Sequence, residues 1–248
     1  MNDLERYFRL NDKRVIHKWI HYFDVYERHF SKFRSKEIVL LEIGVSEGGS
    51  LQMWKNYFGA NTKIYGIDID PNCKEFEEEN IKIFIGSQSD KIFLKSVMGQ
   101  IPPVDILIDD GGHTMHQQIV SYEVLFDHIK DDGVYLCEDV HTSYHLTFGG
   151  GHKRRGTFVE YSKKFIDYLN AYHSKQRSLK VNTFTKTVDS IHYYDSIVVI
   201  EKRKREKPYH EKTGNSSFQN VGPRSSSTKI FMNKIKMTLL NNFKRYFP

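Results

Sequence analysis

Short apolar runs alternate with stretches whose apolar residues recur every three or four positions through most of this chain. The runs at residues 38–43, 63–68, 81–85, 104–108 and 133–137 read as buried strands, and the stretches between them read as crossover helices. That alternation predicts an α/β fold: a mostly parallel, doubly wound sheet with helices on both faces. A longer helical stretch around 158–172 precedes two more apolar runs, 179–186 and 196–202, joined too tightly for a helical crossover. These predict an antiparallel pair at the sheet edge, so that seven strands end on an antiparallel one. Ahead of the first strand, Val15, Trp19, Tyr22, Phe23, Tyr26, Phe30 and Phe33 keep a three-and-four spacing. They predict one amphipathic helix behind a capping Asn11-Asp12, with room for a dimer contact or one wall of a substrate cleft.

The pattern changes after Lys202. Residues 204–228 are rich in Lys, Arg, Ser, Gly and Asn and read as a flexible basic linker. Within 229–248, Ile230, Phe231, Ile235, Leu239, Phe243, Tyr246 and Phe247 recur at helical spacing among Lys234, Lys236, Lys244 and Arg245, with no acid. This predicts a basic amphipathic helix, suited either to an anionic membrane surface or to docking on another subunit or its own core. The organisation expected is a helical extension at 1–35, a catalytic domain at 36–203, the linker and the terminal helix.

Charge refines this picture. The chain carries a formal +6, but the stretch from Lys202 to Pro248 carries a net +10 and the preceding body −4. A mildly acidic body with its basic residues in a tail argues against nucleic acid as the partner of the body. Cys73 and Cys137 cannot make a disulfide framework, and neither a signal-like leader nor a bilayer-length apolar run is visible. A cytoplasmic protein with reduced thiols is expected, with the tail as its point of peripheral membrane contact.

The strand ends carry the chemistry. After the first run, residues 42–50 (Glu-Ile-Gly-Val-Ser-Glu-Gly-Gly-Ser) bring a glycine-rich turn to the start of a helix bearing Leu51, Met53, Trp54 and Phe58. A backbone of that kind can pass close to a ligand at a helix N-terminus, yet the G-x-G-x-x-G fingerprint of dinucleotide binding is absent. Glu42, Gly44, Ser46, Gly48, Gly49 and Ser50 are therefore candidates for holding the amino-acid end of a nucleoside cofactor. Asp68, at the end of the second run, is the candidate for its ribose, whereas Asp70 before Pro71 reads as a helix cap. Ser87 and Gln88 end the third run and are candidates for the adenine edge, while Ser89 and Asp90 read equally well as helix caps.

Two acidic blocks complete the set: Asp109-Asp110-Gly-Gly-His113 and, beyond the fifth run, Glu138-Asp139-Val-His141-Thr-Ser-Tyr144, followed by Phe148-Gly-Gly-Gly151. Together with Leu-Glu-Ile-Gly-Val-x-x-Gly-Gly-Ser at the first turn, they resemble the metal-dependent sugar O-methyltransferases of macrolide tailoring, the macrocin and mycinamicin type, and their cephalosporin hydroxylase-like relatives. The resemblance covers roughly residues 39–202. It implies a Rossmann-like class I methyltransferase fold, S-adenosyl-L-methionine as donor and Mg²⁺ or Mn²⁺ as metal. Carried over by position, it places the metal ligands on Asp110, Glu138 and Asp139 and the general base on His113.

Physical chemistry agrees with a metal. Carboxylates gathered at neighbouring strand ends raise one another's pKa unless a cation sits among them, and all-oxygen ligation suits Mg²⁺ or Mn²⁺ better than zinc. Adjacent strand residues face opposite ways, so Glu138 and Asp139 can share an ion only if the chain leaves the pleat there. The expected reaction is an in-line displacement at the sulfonium methyl. The cation orients two neighbouring sugar hydroxyls, Asp110 and His113 do the catalytic work, and His141, Tyr144 and Arg154 contact the acceptor. Asp109 is placed with the cofactor-binding set, although an acid there, like His116, is more often a cap or surface group. The glycine run at 149–151 predicts that the stretch 145–156 is a mobile lid over the acceptor. Expected partners are a sugar or glycan acceptor and a second copy of the chain. A catechol-like acceptor, a nucleic-acid methyltransferase or binding protein, and a cofactor-binding scaffold without activity are the competing readings.

Overall fold

The computed structural model describes residues 1–215 together with Met232, Ile235 and Lys236. The chain divides into two units, Met1–Pro208 and Tyr209–Pro248, and every element below belongs to the first. The expected terminal helix at 229–248 and most of the linker lie outside the described residues, and no described helix is long and apolar enough to cross a membrane.

Seven strands form one sheet: β1 (Val39–Ile43), β2 (Lys63–Asp68), β3 (Ile81–Ile85), β4 (Val104–Asp109), β5 (Ile129–Cys137), β6 (Val188–Tyr194) and β7 (Ile197–Lys202). Their order is β3-β2-β1-β4-β5-β7-β6, with β1 to β5 paired in parallel and β7 antiparallel to both β5 and β6. This is the mostly parallel sheet with an antiparallel pair at its edge that the strand pattern predicted. The order reverses beside β1 and β4, so the loops after these two central strands open a crevice at their carboxyl ends.

Alternation along β1 divides the core in two. Leu40 packs on one face beneath α1 (Asp3–Leu10), α2 (Tyr22–Phe30) and α3 (Gly49–Phe58), in an aromatic layer of Tyr22, Phe23, Tyr26, Phe30, Trp54 and Phe58. Val39, Leu41 and Ile43 pack on the other face with α4 (Lys91–Met98), α5 (Met115–Leu125) and α6 (Phe158–Leu169).

Two expectations are corrected. The single N-terminal helix is instead two helices, α1 and α2, separated by an irregular segment. Asn11 ends α1 rather than starting a helix, and Val15 and Trp19 are each 55% exposed rather than on a buried helical face. The sixth strand is not 179–186. Asn182 accepts from the Thr185 amide and Thr185 returns the bond, a capping box that starts the short α7 (Thr183–Thr187), and the strand follows at Val188. As an edge strand carrying Ser190 and His192, β6 lacks the uniform apolar run that marks its buried neighbours.

Candidate donor pocket and cation seat

The crevice holds a cavity of about 390 Å³ whose floor is the turn after β1. Gly44 has φ +93°, and a β-carbon there would sit 2.0 Å from the Asp110 carbonyl oxygen, so only glycine lets the ends of β1 and β4 come this close. Asp68 organises the turn, since its Oδ2 accepts from the amides of Val45 at 2.8 Å and Ser46 at 2.9 Å. Asp70 caps the 3-10 helix that opens at Pro71, as its place before proline predicted. Gly44, Ser46, Ser50, Asp68, Ser87, Gln88, Asp110, His113 and Asp139 all line the cavity.

The remaining donor candidates act from outside the cavity. Glu42 faces α3, where Ser50 Oγ donates to it at 2.9 Å and Trp54 Nε1 at 3.2 Å. Gly48 is the left-handed residue before α3, and Gly49 gives way to the N-terminal segment, since a β-carbon there would meet the Val15 carbonyl oxygen at 2.2 Å. Asp109 is neither a surface group nor a cap: it is 1% exposed and accepts from Gln88 Nε2 at 3.0 Å. Gln88 also accepts from the Gly112 amide at 2.6 Å, so it ties the end of β3 to the loop after β4. His116 is exposed on α5, as a surface group.

Burial pushes the Asp109 carboxyl from its ordinary 3.8 up to about 7. A carboxyl raised on folding keeps its proton longer than in the unfolded chain. Its contribution to stability is therefore complete below the unfolded value and is lost as pH rises through the folded one. Unfolding free energies measured between pH 4.5 and 7.5 should fall more steeply for the wild type than for Asp109→Asn, by up to about 1.4 kcal/mol per pH unit. Parallel profiles would refute this assignment.

The acids converge at the ends of β4 and β5. Asp139 is left-handed (φ 51°, ψ 33°), so the chain leaves the pleat at the residue where sharing an ion required it to. His113 is also left-handed at φ 55°, and such strain in non-glycine residues gathers at functional sites. One ligand atom each from Asp110, His113 and Asp139 lies within 4.8 Å of the others, with His113 Nε2 at 3.9 Å from Asp110 Oδ1 and 3.5 Å from Asp139 Oδ2. Thr142 Oγ1 lies 2.9 Å from the carbonyl oxygens of both His113 and Asp139, joining the two loops. The donor set, two carboxylates flanked by a third and an imidazole, fits a hard divalent cation.

Glu138 is directed differently. It is 1% exposed, with Oε1 accepting from Tyr26 OH at 2.7 Å and Oε2 from Lys18 Nζ at 2.9 Å. Lys18 also donates to Asp110 Oδ2, and Tyr22 OH donates to Asp139 Oδ1 at 2.6 Å. Burial and the nearby Asp110 push Glu138 well above the usual carboxylate range, against the opposing pull of Lys18. Burial alone would lower the Lys18 pKa, but Asp110, Glu138 and Glu42 reverse it, so the amine stays charged. Lys18, Tyr22 and Tyr26 were missed as site residues. The two tyrosines sit one helical turn apart on an otherwise apolar face, which is the signal that hydroxyls there have buried partners. Lys18 carries no local signal, because its partners are 92 and 120 residues away.

Of the acceptor candidates, His141 stands beside the seat. His141 Nδ1 is 3.8 Å from Asp139 Oδ1 and meets Trp19 edge-on at 6.1 Å between ring centroids. Tyr144 is exposed, while Arg154 bonds back to the Gly150 carbonyl at 3.3 Å and faces solvent outside the cavity. The glycine run is a hydrogen-bonded turn. Amides of Gly149, Gly150 and Gly151 donate to Leu146, His145 and Ser143, and a β-carbon on Gly150 would meet the Thr142 carbonyl at 2.3 Å. Gly150 thus serves a close backbone approach within the turn, while Gly149 and Gly151 take positive φ.

A family model described as a methyltransferase domain matches residues 41–140. The 8-demethyl-8-alpha-L-rhamnosyl tetracenomycin-C 2'-O-methyltransferase of Streptomyces olivaceus is 34% identical over 78% of this chain and 52% of its own length. Demethylmacrocin O-methyltransferase of Streptomyces fradiae is 33% identical, with the same two coverages, 78% and 52%. The chain thus spans about half the length of the curated relatives it matches. Among solved structures, the MycE methyltransferase of the mycinamycin biosynthetic pathway in complex with Mg and SAH superposes with a TM-score of 0.74 at 27% identity, over 94% of this chain and 60% of that one. Its complex that also contains Mycinamycin VI gives 0.72 at 26%, over 93% and 58%.

Proposed function

We propose that this chain is a class I S-adenosylmethionine-dependent methyltransferase of the metal-dependent sugar O-methyltransferase kind, moving a methyl group from S-adenosylmethionine to a hydroxyl of a sugar. The observation that carries this reading is the meeting of Asp110, His113 and Asp139 at one end of a cavity whose floor is the glycine turn and Asp68. The relatives' printed activities, 2'-O-methylation of a rhamnosyl tetracenomycin and O-methylation of demethylmacrocin, support the acceptor class.

In this reading the donor lies along the turn after β1, its ribose on Asp68 and its adenine toward Ser87 and Gln88. Asp110 and Asp139, with Glu138 beside them, would hold Mg²⁺ or Mn²⁺, which when bound lowers the pKa of a coordinated hydroxyl and fixes its direction. His113 Nε2 would take the proton of the acceptor hydroxyl, whose oxygen would gain the methyl group that the donor sulfur gives up. Tyr22 and Tyr26 hold Asp139 and Glu138 in place through their hydroxyls. His141, Trp19 and Tyr144 face the acceptor. The catalytic body is residues 36–203, the 1–35 extension closes the site, and the cytoplasm is the compartment that suits the donor and the free Cys73 and Cys137.

The test is methyl transfer from labelled donor to a panel of nucleotide sugars, rhamnosylated glycans and catechols. Transfer to a sugar acceptor should require a divalent ion, vanish in excess chelator and return with Mg²⁺ or Mn²⁺. Full turnover in chelator would overturn the metal reading, and transfer to catechols alone would overturn the sugar.

A further inference from the structure

We infer that the Lys18 ammonium is a built-in occupant of the cation seat, and that a divalent ion loads only by expelling it and lifting the segment 12–19 that carries it. This rests on the reading of Asp110, Glu138 and Asp139 as a metal seat. The Lys18 side chain is 3% exposed and bonds two of those three carboxylates. Both Glu138 oxygens are already taken, one by Tyr26 and one by Lys18, and one Asp110 oxygen is taken by Lys18 as well. A divalent ion that bridges Asp110 and Glu138 competes with the ammonium for the same two carboxylates. Like charges that share a carboxylate in a dry site repel strongly, so the two cations exclude one another.

The segment is built so that it can leave. Among the described residues, no amide or carbonyl of residues 12–18 enters a backbone–backbone hydrogen bond. Val15 and Trp19 on either side of the lysine are each 55% exposed, and Asn11 holds the segment by a side-chain bond to the Arg14 carbonyl. With no backbone ladder to break, the cost of opening lies in side-chain contacts: Ile16 against the core, Arg14 over the Phe76 ring and the two Lys18 ion pairs. Because Val15, Ile16, His17 and Lys18 also wall the donor cavity, release of the lysine opens the cavity at the same time. Donor entry and metal loading are then coupled through one short stretch of chain.

Trp19 is the natural reporter. It adjoins Lys18, whereas the second tryptophan, Trp54, is fully buried. The experiment is a Mg²⁺ titration of the full chain, followed by calorimetry and by tryptophan emission, in the wild type, Lys18→Met and Lys18→Arg. We expect Lys18→Met, which keeps the apolar stem, to bind Mg²⁺ at least tenfold more tightly, and Lys18→Arg to stay close to the wild type. Wild-type emission should change with Mg²⁺, and that change should disappear in Trp19→Phe. Equal or weaker Mg²⁺ affinity in Lys18→Met, or a wild-type emission indifferent to saturating Mg²⁺, overturns the inference and leaves the metal reading intact. If Lys18→Met does not fold, the wild-type emission arm decides alone. No Mg²⁺ binding by any variant overturns the metal reading and the inference with it.

Discussion

Replacing His113 with Asn should slow methyl transfer by roughly 10²–10⁴-fold, the usual worth of a positioned general base, while leaving donor affinity within a few-fold of the wild type. Asn suits the test because His113 sits at φ 55°, a region that Asn tolerates better than other uncharged replacements. The backbone at the mouth of α5 then keeps its course, and Thr142 keeps its bond to the carbonyl of residue 113. What disappears is the ring nitrogen facing Asp110 and Asp139. Single-turnover transfer from labelled donor measures the chemical step, and calorimetric titration with S-adenosylhomocysteine measures the donor site. A turnover within threefold of the wild type would remove His113 from the mechanism. A parallel collapse of donor affinity would make it a residue of the pocket instead.

Trp54→Ala should cost about 3–5 kcal/mol of stability, the range for deleting a large aromatic from a packed core. Trp54 is fully buried, with its ring edge-on to Tyr26 at 5.2 Å and to Phe30 at 5.9 Å. It also gives Glu42 one of that carboxyl's two side-chain hydrogen bonds, so the substitution removes a donor from a buried acid as well as opening a cavity. For a chain of this size the melting temperature should fall by roughly 6–20 °C. Urea unfolding followed by far-ultraviolet dichroism measures the loss, and a cost under 1 kcal/mol would mean that the aromatic layer is not a fixed core. Tyr26 belongs to the same layer and holds Glu138, so the stability of this face and the geometry of the seat are linked.

Much of the site was legible because its chemistry is local to strand ends. An apolar run that stops at Asp68, at Asp109-Asp110 or at Glu138-Asp139 announces a buried strand and a carboxylate together, and the parallel sheet puts all such ends on one side. The edge strand β6 escaped because half-exposure dilutes its apolar pattern with Ser190 and His192. The first helix was misread because Val15 and Trp19 continue a helical spacing by chance while standing in solvent. Asp109 looked like a surface acid because burial is a property of neighbours that a linear reading does not contain.

Pattern and residue chemistry were sufficient for the α/β sheet, the glycine turn, the acids and histidine gathered at the strand ends, and the charge of the tail, since strand burial, turn chemistry and charge are written in contiguous residues. Tertiary structure alone decided which carboxylate faces which partner: that Glu138 turns to Tyr26 and Lys18, that Glu42 is tied to α3, that Gln88 clamps two loops, and that an N-terminal lysine stands among the acids. The physical reason is distance along the chain. Two groups far apart in sequence meet only when the packed core brings their elements together, and the field each then feels is set by burial and by neighbours rather than by its own type.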